Sequence, residues 1–141
     1  MDLAQFANKM EKRAQVFEQT ANKIAIKAAT AILKHLVNVT PVDTSQALSN
    51  WQVGINAPVN SEIPPYVAGK RGSTQTASAA KALSVGISAL ADKKAGETIY
   101  ISNNLPYIEK LNAGSSTQNP GGFVEAAAQL GRKTVEKHRK K

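Results

Sequence analysis

The groups in this chain that could do chemistry are few and far apart. His35 and His138 are its only histidines, and it has no cysteine. A zinc site built on thiolates is therefore excluded, and no further ligands stand at the spacing a histidine site needs. Serines are plentiful, but none sits in a glycine-flanked nucleophile elbow. Gly69-Lys70-Arg71-Gly72-Ser73-Thr74 has the residue types of a phosphate loop without its spacing of glycines and lysine. The ten carboxylates are scattered. Asp43 alone looks placed, and capping of backbone N–H groups accounts for it. Glu109 reads as part of a solvated face. No catalytic, cofactor-binding or metal site is predicted, and no cofactor.

The elements around these residues explain what they do instead. Residues 3–37 read as one long helix. Leu3, Met10, Phe17, Ile24 and Ala31 recur every seventh position. Ala7, Ala14, Ala21 and Ala28 form a stripe of small residues beside them. Such a stripe lets another element approach closely, either the chain's own sheet or a neighbouring subunit. A coiled-coil seam has the same period. Pro41 ends this helix. Asp43 and Thr44 are expected to cap a short helix at 45–50. Residues 51–56 alternate as a strand, with Trp51, Val53 and Ile55 on one face. Trp51 is either a core residue or an interface anchor.

Residues 58–73 hold Pro58, Pro64, Pro65, Gly69 and Gly72, and predict a long mobile loop exposing Lys70 and Arg71. Room remains near 62–68 for one or two further strands. A helix follows at 75–92, then a strand at 97–102. Residues 106–112 read as a helical turn with Pro106 at its first position. Tyr107 there can pin the turn to the sheet through its ring. Gly114 ends the turn, and a second loop runs over 114–121. A last helix begins near Gly122. The predicted class is α+β. A long N-terminal helix and a C-terminal helix pack on a small, mostly antiparallel sheet, with a long loop and an additional helix inserted between strands. One domain over 1–131 and a frayed basic tail over 132–141 are expected.

The net charge of +8 is unevenly spread. Residues 1–40 sum to +3, residues 41–125 to zero and residues 126–141 to +5. Arg132, Lys133 and Lys137 belong to the basic end, which suits phosphate contact, an acidic protein partner or a solvated helix end. It has no aromatic residue to stack on bases. The N-terminus lacks the pattern of a secretory signal, so synthesis in the cytoplasm is expected. No stretch approaches a membrane span, so no membrane partner is expected.

Three blocks carry a resemblance. Thr40-Pro41-Val42-Asp43-Thr44, followed by Leu48, Asn50 and Trp51, is the first. Ile99 to Tyr107, with Leu111 and Gly114, is the second. Gln118, Pro120, Gly122 and Phe123 are the third. In this order they resemble the tail-completion and minor tail proteins of long-tailed bacteriophages. Ser45 stands where that family usually has glycine, Gln46 near its usual arginine, and Asn112 in place of its usual glutamate. The resemblance implies a non-enzymatic virion protein at the neck of the particle. Such proteins form rings, commonly hexamers, that end the tail tube and meet the head connector. The implied partners are copies of this chain, the connector or adaptor, the tail tube, and passing DNA. Lys70, Arg71, Arg132, Lys133 and Lys137 are the candidate interface or DNA-channel residues. The rival reading is a basic nucleic-acid-binding protein that uses its C-terminal cations.

Overall fold

The computed structural model describes residues 2–114 and 121–139. Its elements are α1 (Leu3–Val39), α2 (Gln46–Ser49), β1 (Gln52–Ile55), α3 (Gln75–Ala91), β2 (Ile99–Ser102), α4 (Ile108–Asn112) and α5 (Phe123–Arg139). The class is α+β. The two strands pair antiparallel, with Val53 opposite Ile101 and Ile55 opposite Ile99. Paired residues share a face, so these four side chains make the apolar side of the ribbon. No further strand forms at 62–68.

α1 starts on a capping box. The Asp2 carboxylate accepts from the Gln5 amide at 2.8 Å, and the Gln5 side chain accepts from the Asp2 amide at 3.1 Å. The helix ends at Thr40, whose extended backbone is what a following proline requires. Only the second half of α1 is packed. Leu33 and Val37 are fully buried, with Leu36 beside them, while Leu3, Phe6, Met10, Val16 and Phe17 stand exposed. The small-residue stripe thus seats the chain's own elements along part of its length only.

The core joins Leu33, Leu36 and Val37 of α1 to Val42, Leu48, Trp51, Ala79, Ala82 and Phe123. α5 lies along the second half of α1 and continues as helix to Arg139, so Arg132, Lys133 and Lys137 stand on helical turns. The apolar face of α5 includes Ala127, which is 1% exposed. α3 crosses α1 at Gly86. A Cβ placed there would lie 2.1 Å from Leu33 Cδ2 and 3.3 Å from Val53 Cγ2. The missing side chain is what lets the two helices and β1 meet.

Gly86 sits inside a helix, where alanine would ordinarily be worth about 1 kcal/mol. Here the fully buried Leu33 blocks the new methyl. Gly86→Ala is expected to lose about 1–3 kcal/mol by chemical denaturation, whereas Ser84→Ala, on the exposed side, leaves stability unchanged or slightly raised. A stabilised Gly86→Ala variant would refute the close crossing.

Candidate functional site

The two motif segments of the sequence meet in space. Pro41, Asp43 and Thr44, from the turn after α1, face Tyr107 and Leu111 across a cleft of about 340 Å³. Tyr107 is exposed and lines this cleft beside the turn. Partial burial raises its phenol above the ordinary value, and the nearby Glu62 carboxylate adds to the shift. Burial raises the Tyr66 phenol in the same direction. Pro106 precedes α4 by two residues, and Tyr107 takes the N-cap position. The regular helix therefore starts later than the proline suggests.

Asp43 does cap backbone amides, but not those of α2. Its Oδ1 accepts from the Arg71 amide at 2.7 Å, and its carbonyl accepts from the Gly72 amide at 2.8 Å. The N-cap of α2 is Ser45, at φ 71°. That left-handed backbone is why glycine suits this position in the family the sequence resembles. Here the Ser45 hydroxyl is buried and hydrogen-bonds Thr74 Oγ1 at 2.8 Å, a bond that holds the strained residue in place.

The segment over 58–73 is irregular, yet it is pinned along its length. Asn50, with no exposed surface, donates to the Ile63 carbonyl at 2.8 Å and accepts from the Ile63 amide at 2.9 Å. The hydroxyl of buried Ser49 accepts from the Tyr66 amide at 3.1 Å. Ser78 Oγ accepts from the Val67 amide at 3.0 Å, and Thr74 Oγ1 donates to the Val67 carbonyl at 2.7 Å. Ser102 and Asn104 both donate to the Val59 carbonyl. Asn103 reaches the Ala47 carbonyl at 2.8 Å. The expected mobile loop is thus replaced by a strap, several of whose amides and carbonyls are bonded by side chains in or next to α2, α3 and β2. Among the described residues, no buried side-chain nitrogen or oxygen lacks a partner.

Trp51 is buried, and its indole N–H donates to Thr40 Oγ1 at 2.8 Å. Thr40 in turn donates to the Leu36 carbonyl at 2.5 Å. This chain of bonds ties the end of α1 to the start of the sheet, so the core reading of Trp51 fits better than the anchor reading. Lys70 and Arg71 are exposed on the turn that Asp43 holds, with Arg71 itself at φ 55°. Arg132, Lys133 and Lys137 are exposed on α5. At 100° per residue Lys133 and Lys137 share a face and Arg132 does not, so they form no single stripe. Gly114 closes α4 at φ 96°. Pro120 lies outside the described residues.

Asn112 places the last helix. Its Oδ1 accepts from the Val124 amide at 2.9 Å, its amide meets both oxygens of Glu125, and its carbonyl accepts from the Gly122 amide at 2.8 Å. Residues that sequence reasoning left out of the site are Ser49, Asn50, Ser78, Asn103 and Lys93. The signal for the first two was present: polar Ser49-Asn50 between Leu48 and Trp51, inside an apolar run. Lys93 is only 8% exposed, and its ammonium meets Asn22 Oδ1 and the Lys94 carbonyl. Nothing in its sequence context marks it as buried. Among the described residues, no group of His, Asp and Glu could hold a metal ion. No helix among them is long and apolar enough to cross a membrane.

Removing the Asn50 side chain leaves the half-buried Ile63 amide and carbonyl without these partners. Asn50→Ala is expected to cost about 2–4 kcal/mol and to speed proteolysis within 58–73. Gln52→Ala, which removes a more exposed bond to the Ser61 carbonyl, is expected to cost under about 1 kcal/mol. Equal protease resistance of Asn50→Ala and the parent would show that the strap is held otherwise.

The arrangement fixes backbone geometry and presents surfaces, which is the property of a part in an assembly. No curated protein matches this chain, and no solved structure matches it. A family model does match residues 4–108, from α1 to the first residue of α4, and its description is "Bacteriophage HK97-gp10, putative tail-component". That span is well over half of the sequence: the chain belongs to the HK97-gp10-like family of bacteriophage tail components.

Proposed function

We propose that this protein is a structural part of a tailed phage particle, acting in tail completion or head–tail joining as a ring at the neck around the DNA channel. The family match over residues 4–108 carries the reading. The site supports it physically. An enzyme would require chemical groups converging on a cleft, whereas the buried polar groups named above bond backbone and hold a shape. The ring would be built of copies of this chain, six in the commonest arrangement for the proteins it resembles, with one face on the head connector and the other on the tail tube. A ring needs a head-to-tail contact whose rotation closes.

Cryo-electron microscopy of intact particles tests this. The expected result is density for this chain at the top of the tail, arranged as a closed ring. A particle that lacks the chain altogether would overturn the reading.

Lys70 and Arg71 have a role in the same assembly. They are exposed, held on a defined turn and separate from the core, so they suit contact with a second subunit, the tail tube or passing DNA. The double charge reversal Lys70→Glu with Arg71→Glu is expected to leave the melting temperature within about 2 °C, since exposed substitutions cost little, and to lower infectious titre about tenfold or more. Unchanged titre would remove the two residues from the interface.

A further inference from the structure

The first half of α1 presents a stripe that none of the described residues covers. Leu3, Phe6 and Met10 are 86%, 54% and 45% exposed. At 100° per residue they lie within one narrow face of the helix. That face continues into Ala21, Ile24 and Ala28, where α5 is seated. The bare part is held in shape despite its exposure. The capping box at Asp2 and Gln5 fixes the first turn, and the helix contains neither glycine nor proline.

The same chain also carries an unfilled apolar hollow. It lies between α1, β2 and α5, with Ala28, Ile101, Val124 and Ala128 among its apolar walls and the charged Lys93 and Glu97 also lining it, and its volume is about 440 Å³. An apolar cavity of about 150 Å³ takes one benzene ring. The hollow thus has room for roughly three side chains of that size, which is what the bare stripe offers. A second hollow, bounded by Phe17, Ala21, Ile24 and Val135, shares Ala25 with the first. The two hollows thus adjoin along the α1–α5 seam, and we call them together the α1–α5 groove.

The stripe cannot reach the groove of its own chain. Met10 and Ala28 lie on one unbroken helix, so about 27 Å of rigid rod separates them along the axis. We propose that the Leu3-Phe6-Met10 stripe of each copy packs into the α1–α5 groove of the next copy. Every copy then gives one half-helix and receives one, which is a heterologous contact that propagates around a ring. The inference deepens the ring reading above and rests on it only for closure; the pairwise contact stands on the stripe and the groove.

The test uses the full chain and two variants. One is Phe6→Glu with Met10→Glu, which spoils the stripe on an unpacked stretch of helix. The other is Ala128→Arg, which blocks the groove from an exposed position. Both should keep the circular dichroism and melting temperature of the parent. By light scattering across a concentration series, the parent is expected to self-associate, and each variant alone to do so about a hundredfold more weakly. An equal mixture of the two variants is expected to give a species of two chains and nothing larger, because one intact stripe meets one intact groove. A parent that stays monomeric throughout would overturn the proposal. So would a stripe variant that assembles normally, or a mixture that remains monomeric. Particles that lack the chain while the mixed variants still pair would sink the neck reading and leave this contact standing. Rings on particles formed equally by both variants would do the reverse.

Discussion

The structure depends on one constraint: irregular backbone can be buried against a core only if its amides and carbonyls find partners. The strap over 58–73 has no ladder to satisfy it. Asn50, Ser49, Ser78, Thr74, Ser102 and Asn104 supply the bonds instead. Each stands in or beside an element that packs on the apolar core of Leu33, Leu48, Trp51 and Ala82. The Asn50 amide is the strongest of these clamps, because it meets both polar groups of one residue, as a neighbouring strand would. With the strap held, the turn at 70–72 is docked on Asp43, and the outward display of two cations follows.

A second group of contacts orders the far side of the molecule in the same way. Asn112 joins the end of α4 to the first turn of α5 through its side chain and its carbonyl. Glycine at 121 is required there, since a Cβ would stand 2.7 Å from the Asn112 carbonyl oxygen. The family-typical glutamate could accept from the Val124 amide, but it could not donate to Glu125. Asparagine does both.

Much of this was legible in the sequence. The seven-residue recurrence from Leu3 to Ala31 and the absence of helix breakers gave α1 nearly to its end, and alternation at 51–56 and 97–102 gave both strands. The order of motifs identified the family. What sequence could not show were partners distant along the chain. Asp43 looked like a cap for the helix that follows it, but left-handed Ser45 takes the cap position and the Asp43 carboxylate accepts from the Arg71 amide. Prolines and glycines at 58–73 suggested mobility, because the asparagine and serines that bond this stretch come from other elements. Periodicity marked the apolar face of α1 as one continuous stripe. It carries no information on how much of that stripe α5 is long enough to cover.

The unequal seating of α1 has a mechanical consequence. Its second half is clamped in the core and its first half projects as a cantilever about 30 Å long. A tilt of about two degrees at the clamp would swing the tip by roughly 1 Å at that length. The crossing at Gly86, which sets how α1 sits against α3 and β1, therefore acts as the alignment pivot for a point far outside the body of the molecule.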